Sequence, residues 1–137
     1  MKLTPPLAAL LIASALACGG HDDDDKNNEL MAPGQNCQAC HGFTASGTVF
    51  GSANADSGSG LSGVTVVITD ANSVDTTFTT NAAGNFFSGA ALALPLKKAA
   101  VVRNGTRTEM SGVPAGDCNR CHTLPATGGA AGRIHAP

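Results

Sequence analysis

Two short segments carry the clearest chemistry in the chain: Cys37-Gln38-Ala39-Cys40-His41 and Cys118-Asn119-Arg120-Cys121-His122. Both have the form C-x-x-C-H, the attachment signature of c-type haem. On one helical turn, two thiols three positions apart can each add to a vinyl group of a porphyrin. The adjoining histidine then offers its imidazole to the iron from the same side. One such segment is suggestive; two in a chain of 137 residues make coincidence a poor explanation. The expected cofactors are therefore two covalently attached haems with their iron. Cys37, Cys40 and His41 would hold one, and Cys118, Cys121 and His122 the other.

The chain has five cysteines, so four go to the two segments and only Cys18 is left over. C-x-x-C pairs also occur in redox-active or structural disulfides and in four-cysteine zinc sites. Neither alternative explains a histidine directly after both second cysteines. Zinc sites of this kind also place their two pairs closer together than Cys40 and Cys118. A six-coordinate haem iron needs a second axial ligand, and after His41 and His122 only His21 and His135 remain among the four histidines. His135 is the stronger candidate, because the loop with Gly128, Gly129 and Gly132 can bring it back over the opposite haem face. Its alternative is a solvated histidine near a frayed terminus. Met31 and Met110 compete as ligands, with packing as their ordinary fate. A histidine from a neighbouring subunit is a further source.

The N-terminus reads as an export signal. Lys2 precedes the apolar run Leu7 to Ala17, which is too short to span a bilayer and ends in small residues. Residues 1–17 are assigned to this signal. Cys18, followed by Gly19 and Gly20, then resembles the lipidated first residue of bacterial lipoproteins, although Ala15 stands where that family usually has Leu. Lipidation of Cys18 would anchor the chain to a membrane. Residues 18–33, with His21 and the acidic run Asp22 to Asp25, read as a polar tether. His21 lies on that tether as the weaker distal-ligand candidate.

With 42% apolar, 13% charged and 4% aromatic residues, the chain allows one small ordered domain but few large side chains for its core. Porphyrins would supply the missing bulk. A formal charge of −2 gives no footprint for nucleic acid. Between the two haem segments, Val, Thr, Ile and Phe runs alternate with Gly, Asn, Asp and Ser clusters. This pattern predicts short antiparallel strands at Thr48–Phe50, Val64–Thr69, Asp75–Thr80, Gly84–Phe87, Leu96–Arg103 and Thr106–Met110. Asn104-Gly105 is a two-residue hairpin signal, since both residues tolerate positive φ. The expected fold class is all-β, a small sandwich flanked by haem-binding loops with short helical turns.

Gly47-Thr48-Val49-Phe50, Gly63 to Asp70 (GVTVVITD) and Thr79 to Phe86 (TTNAAGNF) resemble the carboxypeptidase regulatory-like, transthyretin-like β-sandwich. The resemblance covers about residues 46–110 and implies a scaffold or interaction module without catalysis of its own. The ends of the chain are similar to small exported multihaem c-type cytochromes in which such a sandwich is flanked by C-x-x-C-H segments. In that setting the ending Gly-Arg-Ile-His-x-Pro resembles a distal-ligand position, which implicates His135. The domain plan is then signal 1–17, tether 18–33, first haem motif 34–45, sandwich 46–110, and second haem motif with C-terminal ligand loop 111–137.

These readings converge on an exported dihaem cytochrome, periplasmic, anchored to the bacterial outer membrane or at the cell surface, that passes single electrons between a redox protein donor and acceptor. Dihaem peroxidases are much larger and need an open iron in a shaped pocket, so no enzyme activity is expected. Arg120 and Arg133 could pair with haem propionates. Lys97, Lys98, Arg103 and Arg107 surround the last hairpin as a docking patch or as a solvated edge. A sandwich holding the haems at opposite ends would require haem contacts between molecules, hence a homo-oligomer or filament. Two alternatives stand beside this: a non-haem transthyretin-like envelope binding module with disulfide-paired cysteines, and a haem sensor with one five-coordinate iron if His21 is free.

Overall fold

Six strands form in the computed structural model, which describes residues 30–137. The signal at 1–17, the lipidation candidate Cys18 and the ligand candidate His21 lie outside the described residues. The strands are β1 (Ala45–Thr48), β2 (Thr65–Thr69), β3 (Asp75–Thr79), β4 (Asn85–Ser88), β5 (Leu96–Arg103) and β6 (Thr106–Val113). They make two antiparallel sheets, a two-stranded β1-β4 and a four-stranded β3-β2-β5-β6. The chain is a small all-β sandwich. A 3-10 turn, η1 (Cys37–Ala39), and a single α-turn, α1 (Cys118–Cys121), carry the two C-x-x-C-H segments.

Most strand positions agree with the alternating pattern. β5 spans the expected residues, and β5 and β6 meet at Asn104 and Gly105, with φ of 50° and 80° as this tight hairpin requires. Two boundaries differ. β1 was expected at Thr48–Phe50 but pairs with β4 over Ala45–Thr48, because Phe50 instead bridges Gly60 and His135. β6 runs on to Val113, past the expected end of the sandwich at 110, by continuing its ladder with β5 to Leu96.

The core lies between the sheets and is built mainly of Val49, Val64, Val66, Ile68, Phe86, Leu96, Val101 and Val113. In β4, Phe86 faces inward and is 3% exposed, whereas Phe87 faces out and is 50% exposed. The cover is uneven, because a pair of strands cannot span four. Cross-strand registers align Val66, Val101 and Thr108 in one row and Ile68, Ala99 and Met110 in the next. Thr108 and Met110, at the β6 end of these rows, are exposed. The half of the large sheet formed by β5 and β6 therefore faces the C-terminal segment instead of the small sheet.

Asp70 closes the β2–β3 turn. Its buried carboxylate accepts hydrogen bonds from the N–H groups of Asn72 at 2.8 Å, Val74 at 2.9 Å and Ala93 at 3.3 Å. These bonds, led by that from Val74, hold its carboxyl below the ordinary value of 3.8. The stabilisation from ionised Asp70 is fully present above that ordinary value and is lost as pH falls through the lower folded value. Asp70→Asn is expected to melt below the wild type at neutral pH, with the gap closing in strong acid. Thermal melts across that range check it, and a gap independent of pH would contradict the assignment.

Candidate functional site

Each C-x-x-C-H segment closes a single helical turn in the same way. The His41 N–H donates to the Cys37 carbonyl at 2.9 Å, and the His122 N–H donates to the Cys118 carbonyl at 3.0 Å. Asn36 caps the first turn, its Oδ1 accepting from the N–H groups of Gln38 at 3.1 Å and Ala39 at 3.2 Å. Asp117 occupies the same position before Cys118 but makes no side-chain cap. The turns thus have the local geometry that places two thiols and an imidazole along one stretch of backbone.

The two turns lie together, not at opposite ends of the sandwich. Both contact β1. Ser46 N–H donates to Gly116 O at 2.8 Å, and Ser46 bridges Asp117 in parallel. Gly116 must be glycine here, since a Cβ would collide with the Thr44 carbonyl and the Ala45 backbone. Asn119, 3% exposed and in an x position of the second segment, fastens the two together. Its Oδ1 accepts from Thr48 N–H at 3.0 Å, and its Nδ2 donates to Gln35 O at 2.8 Å and to Thr48 Oγ1 at 3.0 Å. Thr48 Oγ1 donates to Asn85 Oδ1 at 2.6 Å and accepts from Gly34 N–H at 2.9 Å. Asn85 Nδ2 in turn donates to Met31 O at 2.6 Å. The tether assigned to 18–33 is therefore docked on the sandwich by residue 31.

Both first cysteines are shielded. Burial pushes the Cys118 thiol up to about 12, with the nearby Asp117 and Cys37 adding to the effect. Burial likewise raises Cys37, opposed by Ser46 and reinforced by Asp117. Kept as neutral S–H groups, the two cysteines resist adventitious oxidation, for which the thiolate is the reactive form. Asp117, itself raised by burial, has one carboxylate oxygen without a hydrogen-bond partner.

Beside α1 the uncovered half of the large sheet forms one wall of a cavity of about 580 Å³. Its volume lies within the roughly 300–1,000 Å³ of small-molecule and cofactor sites. Val66, Val101 and Val113 line it together with Cys118, Cys121, His122 and His135. The His122 Nδ1–H donates to Gly132 O at 2.9 Å, which leaves Nε2 as the ring's free lone pair. Such a backbone bond on the far nitrogen is how a metal-ligating histidine is commonly oriented. His135 has the same arrangement, with Nδ1 on Arg133 O at 3.1 Å. The residue is not frayed: Phe50 N–H donates to Ile134 O at 2.8 Å and Ala136 N–H to Phe50 O at 2.9 Å. Met110 also lines this cavity, so both candidate ligands from this part of the chain reach it. Donor set, apolar walls and histidine orientation fit a covalently attached haem.

The first turn is more open. Cys40 and His41 are exposed, and His41 stacks on Phe43 with ring centroids 5.0 Å apart, which stacks on exposed Phe87 at 4.7 Å. Cys40 is disulfide-bonded, a bond that must be reduced before a thioether can form there. Met31 is 50% exposed. Among the described residues no three His, Cys, Asp or Glu side chains converge on a metal position. A porphyrin brings its own four nitrogens and asks only axial ligands of the protein.

The charged residues divide. Lys98 and Arg107 both pair with Glu109, at 3.0 and 3.1 Å, and Lys97 donates to Ser73 Oγ at 2.7 Å. Lys98 and Arg107 are thus partly neutralised on the sheet surface. Arg120 lines the cavity. Arg133 is 8% exposed, lies 4.5 Å from the Phe50 ring centroid, and has an enclosed Nη1 without a hydrogen-bond partner.

The chain matches no protein-family model, no curated protein and no solved structure. Sequence reasoning missed Asn119, Asn36 and Gly116. An Asn before a turn signals a cap, but nothing marks a buried Asn in an x position. Replacing Asn119 by Ala removes three hydrogen bonds, two of them buried, and orphans the Thr48 N–H, a loss expected at about 2–4 kcal/mol. Lys98→Ala, at a surface ion pair, is expected to cost under about 1 kcal/mol. Denaturant unfolding of the two variants checks the contrast; equal losses would contradict the node's importance.

Proposed function

We propose that the chain is an exported dihaem c-type cytochrome carrying single electrons between redox-protein partners at the cell envelope. The observation that supports this best is the convergence of Cys118, Cys121, His122 and His135 on one apolar cavity beside the Cys37 turn. Cys37 and Cys40 would hold one haem and Cys118 and Cys121 the other, with His41 and His122 as proximal ligands. Bound there, each haem supplies an iron that cycles between ferric and ferrous states. Lipidation of Cys18 would hold the protein at the outer membrane or cell surface; without it the protein would be periplasmic. The disulfide at Cys40 favours a second reading, a non-haem transthyretin-like envelope binding module, which leaves the paired histidines and the cavity without a role.

The chain's residues would do different work at the two positions. Gly132 O fixes the His122 ring, and the backbone bonds on either side of His135 fix its place in the same cavity, where it would be available as a ligand. Val66, Val101 and Val113 would keep water from a haem held at Cys118 and Cys121, and such apolar surroundings would disfavour the more charged ferric form. The exposed His41–Phe43–Phe87 ladder would leave a haem held at the first turn open to solvent and to a partner. With both turns on β1, electron passage through one molecule does not require a filament.

A potentiometric titration followed by visible absorption is expected to show two one-electron steps with sharp reduced bands, the Cys118/Cys121 haem at the higher potential. Absence of any redox-dependent visible band would overturn the cytochrome reading in favour of the binding module. His135→Ala is expected to open one iron, so that the reduced variant binds carbon monoxide at one haem. An unchanged spectrum, potential and carbon monoxide response would remove His135 from the site and turn attention to Met110.

A further inference from the structure

We propose that Asn119 is a positioning residue that locks the two attachment turns against each other, so that both haems lie side by side in one chain as an electronically coupled pair. The inference deepens the cytochrome reading and rests on it. Its basis is the chain's own geometry. Asn119 immediately follows Cys118, and its Nδ2 bonds the carbonyl of Gln35, two residues before Cys37, at 2.8 Å. One short side chain is therefore all that separates the backbones entering the two turns.

The remaining contacts allow little freedom. Both turns share β1, through Ser46 with Gly116 and Asp117 on one side and Thr48 with Gly34 on the other. Gly47 sits so close to the second turn that a Cβ there would lie 3.1 Å from Cys118 Cβ. Thioether bonds join the edge of a porphyrin directly to cysteine sulfur. A porphyrin is far wider than the gap spanned by an asparagine side chain, so two haems bonded at these cysteines have their edges close together. The first segment's position thus depends on a residue of the second. Substitution at Asn119 is expected to alter the relation between the haems without removing a thiol or an iron ligand.

Circular dichroism in the Soret region reads this relation, because neighbouring porphyrin transitions couple into a band that changes sign across the absorption maximum. The full holoprotein, with two haems verified by intact mass, is expected to show this two-signed band. Variants retaining one attachment pair, Cys37→Ser with Cys40→Ser or Cys118→Ser with Cys121→Ser, should give single-signed bands whose sum lacks it. Asn119→Asp keeps the Oδ1 acceptor for Thr48 but turns an acceptor toward the Gln35 carbonyl; it should retain both haems and lose most of the two-signed amplitude. A wild-type holoprotein with a single-signed band overturns the coupled pair without need of any variant. Asn119→Asp with full amplitude overturns the role of Asn119. Failure of the cytochrome reading is distinct: the mass then shows no haem and there is no Soret band.

Discussion

A buried polar node at Thr48 organises this molecule. Thr48 Oγ1, fully enclosed, exchanges hydrogen bonds with Asn85, Asn119 and Gly34, and these groups continue to Gln35 and Met31. Polar groups removed from water are costly unless paired, and inside a protein each unmade bond carries the desolvation penalty in full. The side chains of Thr48, Asn85 and Asn119 are paired with one another and with backbone. That requirement fixes four separate stretches of chain together: the segment before the first turn, both strands of the small sheet, and the second turn. Once those positions are set, the turns carrying Cys37 and Cys118 both rest on β1.

The second constraint is the mismatch between sheets. Two strands packed on four leave β5 and β6 without a full cover, and Thr108 and Met110 end their rows in the open. A chain with five phenylalanines and no tryptophan or tyrosine has little with which to fill that space. The C-terminal segment frames the space without filling it, held to Phe50 on one side and to the Ala53 carbonyl through Arg133 N–H at 2.9 Å. The cavity that results is lined by apolar side chains together with two cysteines and two histidines.

Much of this was legible in the residues. The β-branched alternation located five of the six strands closely, and Asn104-Gly105 gave the hairpin. The short helical turns at the two C-x-x-C-H segments followed from spacing and residue type. What could not be read was tertiary. No pattern tells that a segment 34–41 and a segment 116–122 dock on the same strand, because the bonds responsible run through backbone carbonyls and one asparagine. The position of β1 was misjudged for the same reason: Phe50 has a strand's side chain, but its backbone bonds go to Ile134 and Ala136. The tether's end was also hidden, since Met31 is held by its carbonyl and not by its side chain.

The central claim, that both turns hold covalent haem, is tested most directly by the intact mass of the protein exported from cells able to mature c-type haem. Addition of a thiol across a vinyl group loses no atoms, so the account predicts the mature chain plus two whole haems that survive denaturation. A chain without that added mass would contradict it and leave a cysteine-stapled β-sandwich.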